Sequence, residues 1–123
     1  MNIDNLFAAP NVLPQELVDV LFCSAGPARV ERIVSQGHAS PPGFWYDQAE
    51  HEWVALLQGE AALELEGEPP LVLRPGDHCF LPAHVRHRII WTAPDGITVW
   101  LAVFFADLAQ GRALSAQGAT LRG

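Results

Sequence analysis

The chain has 123 residues, 50% of them hydrophobic, which is enough for one globular core and too few for two. Its 14 acidic and 7 basic residues give a net charge of −7, which argues against nucleic acid as a partner because few cations are available to neutralise phosphates. We find no basic–apolar–small leader pattern and no apolar run of membrane-spanning length, so we expect a cytoplasmic protein that does not bind membranes.

The N-terminal region contains one candidate helix, PQELVDVLF at positions 14–22. Pro14 suits the first turn of a helix, Glu16 complements the positive end of the helix dipole, and a Gly-Pro pair follows the segment. The apolar residues of this segment form one stripe at helical spacing, consisting of Leu17, Val18, Leu21 and Phe22. The sequence therefore predicts a short N-terminal helix.

The next part of the chain consists of short apolar or alternating segments separated by Gly and Pro turns. The candidate strands are the apolar stretch before Gly59 together with RVERIV (29–34), AALELEGE (61–68), LVL (71–73), HCFL (78–81), RIIW (88–91) and TVWLAVFF (98–105). Strands at this spacing predict an all-β sandwich or barrel. We interpret residues 1–123 as a single domain with a lead-in (1–28), a β-barrel (29–105) and a tail (106–123) that we expect to be mobile over about its last ten residues.

The cysteines and three of the histidines carry no pattern of a reactive or metal-binding site. Cys23 and Cys79 lie far apart without C-x-x-C spacing, so we predict two buried, free thiols. His38 lies in a Gly/Ser/Pro loop, His51 alternates away from its neighbour in a strand, and His78 follows a turn. We interpret these three histidines as structural.

Two segments of the β region have distinctive spacings. Gly76 is followed after five residues by Pro82, and His87 lies five positions beyond that proline. Six residues separate Glu52 from Gly59 in the earlier segment. These spacings resemble the two sequence motifs of the cupin family over most of the chain. The resemblance implies a double-stranded β-helix, which is a jelly-roll barrel with an inward-facing site.

The first of the two motifs is degenerate. A typical cupin holds a divalent metal with three histidines and one glutamate, and the family pattern places two of these histidines ahead of Glu52. With three intervening residues their positions are Tyr46 and Gln48, and with four they are Trp45 and Asp47, so both histidines are absent. Of the family's ligand set, the resemblance leaves only Glu52 and one histidine of the second motif.

The resemblance nevertheless implies a site of reduced strength at this end of the barrel. A neutral amide oxygen can supplement a carboxylate and an imidazole, and such a set would hold Mn, Fe, Ni or Zn weakly. The candidate metal ligands are Gln48, Glu52 and His87. Further candidates for the substrate pocket are Tyr46, His84, which occupies a glycine position of the second motif, and Trp91, which occupies its asparagine position.

Two functions from different classes fit this pattern. One is a metal-dependent enzyme, a dioxygenase, isomerase or lyase acting on a small organic acid or ketone. The other is a small-molecule sensor or binding module that is not catalytic and holds no metal. We also expect a homodimer, with the N-terminal helix and the strand at 29–34 as candidate contacts, because pairing would cover an exposed sheet edge.

Overall fold

A computed structural model describes residues 3–23 and 28–106 of the chain. These residues form eight β-strands and no helix, which confirms the all-β prediction. The strands are β1 (Leu17–Cys23), β2 (Arg29–Ser35), β3 (His51–Gln58), β4 (Ala61–Leu65), β5 (Leu71–Leu73), β6 (His78–Leu81), β7 (His87–Thr92) and β8 (Thr98–Phe105).

The strands form two antiparallel sheets that pack against each other. A five-stranded sheet has the order β1-β2-β8-β3-β6, and a three-stranded sheet has the order β5-β4-β7. Alternate residues of each strand point inward, so the two inner faces share one core. The buried core comprises Val54, Leu56, Ala61, Leu63, Leu73, Leu81, Trp100, Ala102 and Phe104. This arrangement is the jelly-roll barrel that the family resemblance implied.

The predicted N-terminal helix is wrong, because its second half is the edge strand β1. This strand pairs antiparallel with β2, and Asp19 lies opposite Arg32 in the register. The Arg32 guanidinium forms an ion pair with Asp19 and donates a further hydrogen bond of 2.6 Å to the carbonyl oxygen of Ala8. The open edge of β2 supplies backbone partners that outweigh the helical spacing of the apolar residues in this segment.

The two cysteines differ in exposure although both are free. Cys23 is exposed at the end of β1, so its predicted burial is wrong. Cys79 is partly buried on β6, where burial, assisted by the negative charge of Glu52, raises the pKa of its thiol to about 11. This thiol is therefore protonated and unreactive near neutral pH.

Two further predictions concern the ends of the chain and its relation to membranes. The tail (106–123), predicted to be mobile over about its last ten residues, lies outside the described residues apart from Ala106. Within residues 3–23 and 28–106, no helix is long and apolar enough to cross a membrane.

Candidate functional site

A cavity of about 270 Å³ opens between the two sheets at one end of the barrel. For comparison, an apolar protein cavity of about 150 Å³ holds a benzene molecule, so this space admits a small organic molecule. Apolar side chains of both sheets form its walls, among them Val54, Leu63, Leu81, Ile89, Trp100 and Phe104. Polar side chains interrupt these walls, namely Glu16, Arg29, Glu31, Tyr46, Gln48, Glu52 and His87.

The most deeply buried polar groups of the cavity are the side chains of Glu52 and His87. Glu52 lies on β3 opposite Leu81 and Phe104, and its inward face continues through Val54. Only 7% of Glu52 and 5% of His87 are exposed to solvent. The Nε2 atom of His87 lies 3.6 Å from Oε1 of Glu52, so a carboxylate from one sheet faces an imidazole from the other.

The orientation of the His87 ring is fixed by the backbone. Its Nδ1 atom lies 3.0 Å from the carbonyl oxygen of Val85, which directs Nε2 towards Glu52. Burial lowers the pKa of His87, but hydrogen bonds to Glu52 and to the Val85 carbonyl, together with the charge of Glu52, outweigh burial and raise it above its ordinary value. The pair therefore favours an imidazolium beside a carboxylate.

The segment at 46–48 is attached to β7 and places two more polar side chains at the cavity. The amide of Tyr46 donates to the carbonyl of His87 at 2.7 Å, and the amide of His87 donates back at 3.1 Å. The rings of Tyr46 and His87 stack with centroids 5.4 Å apart. Gln48 then donates a hydrogen bond of 3.3 Å from its Nε2 atom to Oε1 of Glu52.

Tyr46 remains a neutral phenol at this position. Burial, followed by the negative charges of Glu16 and Glu52, raises the pKa of its hydroxyl above the ordinary value. A phenolate is thus disfavoured, and the side chain presents a hydroxyl that both donates and accepts hydrogen bonds. Tyr46 is 38% exposed, which places it at the opening of the cavity.

Three charged residues of the cavity were not among the predicted site residues, namely Glu16, Arg29 and Glu31. Arg29 donates to Glu31 at 2.8 Å and to Glu50 at 2.5 Å, and its guanidinium lies 4.2 Å above the Phe104 ring centroid. The sequence contained a signal for Arg29 and Glu31, because alternation in RVERIV places both of them on one face of β2 with Ile33. Glu16 was predicted to lie in a helix, so its position at the cavity was not predicted.

Two predicted pocket residues do not line the cavity. The His84 side chain is 68% exposed, and its Nδ1 atom lies 2.8 Å from Oδ1 of Asp47. His84 has φ of +66°, the left-handed conformation that suits the glycine expected at this motif position. Trp91 is 41% exposed on the outer face of β7. The structure therefore brings Tyr46, Gln48, Glu52 and His87 together and leaves His84 and Trp91 outside.

The remaining histidines have structural contacts, as expected. The Nδ1 atoms of His38, His51 and His78 accept hydrogen bonds from the Gln36 amide, the Ala83 amide and the Trp53 indole, respectively. Each of these rings therefore positions a nearby loop or side chain.

The donor set at the cavity does not fit a tightly held metal ion. Among residues 3–23 and 28–106, no group of three His, Cys, Asp or Glu side chains converges. The cavity offers one imidazole and one carboxylate, whereas protein metal centres of this kind usually use three or more protein ligands. The third candidate, Gln48, is a neutral amide already hydrogen-bonded to Glu52. Gln48 and His87 both lie against Oε1 of Glu52.

Comparison with known proteins gives a consistent family assignment. Residues 31–104 match the family model of the cupin domain. A crystal structure of a Ralstonia eutropha protein, described provisionally as a mannose-6-phosphate isomerase, superposes with a TM-score of 0.82. That protein is 47% identical to this chain, and the alignment covers 86% of this chain and 99% of the other. A cupin superfamily protein of Desulfitobacterium hafniense superposes with a TM-score of 0.65 at 22% identity, covering 82% and 84% of the two chains, and shares the fold.

A curated relative is more distant. The dimethylsulfoniopropionate lyase DddQ of Ruegeria pomeroyi is 34% identical to this chain over 70 residues, which is 54% of this chain and 35% of the lyase. The chain thus spans about a third of the length of the lyase it matches.

Proposed function

This chain belongs to the cupin family, and on that premise we propose that it binds a small organic molecule directly, in the cavity between its two sheets. In this proposal Glu52 and His87 are the main polar contacts, Gln48 and Tyr46 add hydrogen bonds, and the apolar walls hold the body of the ligand. The cavity is concave and mostly apolar with a few convergent polar groups, which is typical of a small-molecule site.

A single observation carries the proposal, namely a carboxylate oxygen at the cavity with no hydrogen-bond donor among the described residues. Oε1 of Glu52 faces Gln48 and His87, whereas Oε2 accepts no hydrogen bond from any residue in the described part of the chain. None of the polar side-chain atoms in the described residues is both fully buried and without a partner, so this oxygen is accessible from the cavity that Glu52 lines. A ligand in the cavity can therefore donate a hydrogen bond to Oε2 without displacing a protein donor.

The relatives support a small-molecule ligand without specifying it. One is described provisionally as an isomerase of mannose 6-phosphate, and the other is a lyase of dimethylsulfoniopropionate. These two molecules differ in charge and in chemical class, so neither is assigned to this chain.

A fragment screen by ligand-observed NMR tests the proposal. The variant Ile89→Trp places an indole in the cavity, because Ile89 lines it, whereas Val72→Trp adds the same group at an exposed site on β5. We expect fragments that bind the wild type to bind Val72→Trp and to lose binding to Ile89→Trp. Undiminished binding to a folded Ile89→Trp variant would place the ligand site elsewhere.

A second candidate function is a metal-dependent enzyme in which Gln48, Glu52 and His87 hold Mn, Fe, Ni or Zn. The hydrogen bond from His87 Nδ1 to the Val85 carbonyl supports it, because metal-binding histidines commonly use their second nitrogen in this way. Metal analysis of protein purified without chelator separates the two candidates. Direct binding predicts substoichiometric metal and no rise in melting temperature when any of these ions is added, since a native metal site would stabilise the fold.

A further inference from the structure

The lining of the cavity carries an excess of negative charge. It contains the three carboxylates Glu16, Glu31 and Glu52, against the guanidinium of Arg29 and the imidazole of His87. The net charge of the lining is therefore −2 when His87 is neutral and −1 when it is protonated. An anion entering this space would meet repulsion in either state, and a cation would be attracted.

The guanidinium of Arg29 is already occupied by protein groups. Its Nε atom donates to Glu31 and its Nη1 atom to Glu50, and one face of the group lies on the Phe104 ring. Glu50 brings a further negative charge to this cation although it does not line the cavity. A phosphate or carboxylate ligand would have to displace these built-in carboxylates to use Arg29, which makes it a poor anion receptor.

Unlike the guanidinium of Arg29, the carboxylate of Glu52 can still form a hydrogen bond with a ligand. Its Oε2 atom has no hydrogen-bond donor among the described residues, and the residue is only 7% exposed. The indole of Trp100 and the side chain of Leu63, both almost fully buried, lie on the same cavity. A ligand that fits these surroundings has an apolar body and a charged hydrogen-bond donor at one end.

We infer that the cavity selects a small organic ammonium ion, with its N–H groups directed to Glu52 and its hydrocarbon part against Trp100 and Leu63. This inference rests on the proposed function and names the ligand class of that site. A hydrogen bond between an ammonium N–H and a carboxylate in a largely desolvated site, where both groups are charged, is stronger than the bond a neutral alcohol makes to the same carboxylate.

Three probes of the same shape and different charge test the inference: benzylamine, benzyl alcohol and benzoate. Isothermal titration calorimetry is carried out at low ionic strength and about pH 8, where the amine is still protonated. We expect benzylamine to bind at least about tenfold more tightly than benzyl alcohol, in keeping with the strength of a hydrogen bond to a charged group, and benzoate to bind most weakly.

Two matched variants test whether Glu52 causes the preference for benzylamine. Glu52→Gln keeps the shape of the side chain and removes its charge, so the advantage of benzylamine over benzyl alcohol should disappear. Glu64→Gln removes a carboxylate of β4 that forms an ion pair with Arg88 outside the cavity, and it should keep the advantage.

Other outcomes overturn the inference in distinguishable ways. Equal binding of all three probes, or tighter binding of benzoate, would refute the ammonium preference and leave the binding function intact. Retention of the preference in Glu52→Gln would refute the role of that carboxylate. If none of the three probes binds, the ammonium inference fails, and the fragment screen with Ile89→Trp decides the proposed function separately.

Discussion

Glu52 and His87 are ionisable groups in an environment that strongly penalises an unpaired charge. Each is more than nine-tenths buried, and each is the principal partner of the other. Burial alone would neutralise the imidazole, yet the carboxylate 3.6 Å away and the Val85 carbonyl shift the balance towards the protonated ring. A change at Glu52 should therefore appear in the titration of His87.

This coupling predicts how stability depends on pH. Because folding raises the pKa of His87 above its unfolded value of 6.5, the stabilisation is fully present below pH 6.5 and is lost as the pH rises through the folded pKa. Denaturant unfolding at a series of pH values should show this fall in the free energy of unfolding.

Two variants identify the source of the pH effect. In Glu52→Gln no carboxylate offsets the effect of burial on the pKa of His87. The fall in the free energy of unfolding with rising pH should therefore become smaller or reverse its sign. His78→Gln removes a histidine outside the cavity and should leave the profile unchanged. A wild-type stability that rises over the same range would contradict the account.

Gly59 is required for a different physical reason. Its φ of +88° is left-handed, and a Cβ atom there would lie 2.6 Å from the Cα atom of Thr98, which is backbone and cannot give way. We predict that Gly59→Ala costs about 2–4 kcal/mol, because backbone strain and overpacking add.

Gly67 provides a matched control for this prediction. Its φ of +82° is similar, but a Cβ atom would meet nothing within 4 Å. Gly67→Ala should therefore lower the free energy of unfolding only by the cost of a left-handed backbone at a non-glycine residue, about 1–2 kcal/mol. Equal losses of stability in the two variants, measured by urea denaturation, would show that the contact with Thr98 has no effect.

The limits of prediction from sequence are visible at individual residues of the site. Glu52 and His87 were predictable because a motif fixes their spacing and a strand places alternate residues inward. Glu16 and Arg29 were not, because each reaches the cavity through the pairing of β1, β2 and β8, which local periodicity does not encode. His84 has a left-handed backbone, and its side chain lies outside the cavity against Asp47, which the motif spacing did not reveal.

At the scale of elements, turn residues and alternation predict the positions of strands β2 to β8. They do not predict strand β1. The stripe Leu17, Val18, Leu21 and Phe22 has helical spacing and does not alternate as a half-buried strand would. Two long-range features favour the strand, the free edge of β2 and the Asp19–Arg32 ion pair. Neither is visible in a window of nine residues.

The contacts of Arg32 predict that β1 can be loosened selectively. Arg32 joins β2 to Asp19 of β1 and to the carbonyl groups of Leu6 and Ala8 in the preceding segment. Arg32→Gln should increase amide hydrogen exchange across residues 17–23 by about tenfold or more, since hydrogen bonds to charged groups contribute about 1.5–3 kcal/mol.

The rest of the barrel and a surface variant are the references for that experiment. Exchange in β3 and β8 should stay at the wild-type rate. Arg74→Gln, which removes an exposed ion pair with Glu60, should leave β1 unchanged. A uniform increase over all strands would mean that Arg32 stabilises the whole fold and does not specifically hold β1.

At the scale of the whole molecule, the exposed edge strand predicts self-association. β2 is paired on both sides, so the strand at 29–34 cannot provide the free edge we expected of it, whereas β1 has no strand on its outer side within residues 3–23 and 28–106. Val20 and Phe22 of β1 are 56% and 65% exposed. We predict a homodimer in which β1 contacts a second copy, because an exposed apolar edge invites pairing.

Sedimentation velocity tests the dimer. The wild type should sediment as a dimer at micromolar concentrations, and Val20→Lys should shift it to a monomer because a charge at an edge strand opposes pairing. Val72→Lys, at an exposed position of the other sheet, should remain dimeric. A wild-type monomer at high concentration would refute the prediction.

The central claim is that the cavity binds a small organic molecule directly through Glu52 and His87, without a metal. Its most direct test is a titration of the labelled protein with the tightest fragment from the screen, in excess EDTA, followed by backbone amide chemical shifts. We predict saturable shifts concentrated at Gln48, Glu52 and His87, with the same affinity as without the chelator. Shifts confined to residues outside the cavity, or binding that disappears in EDTA and returns with Zn or Mn, would contradict it.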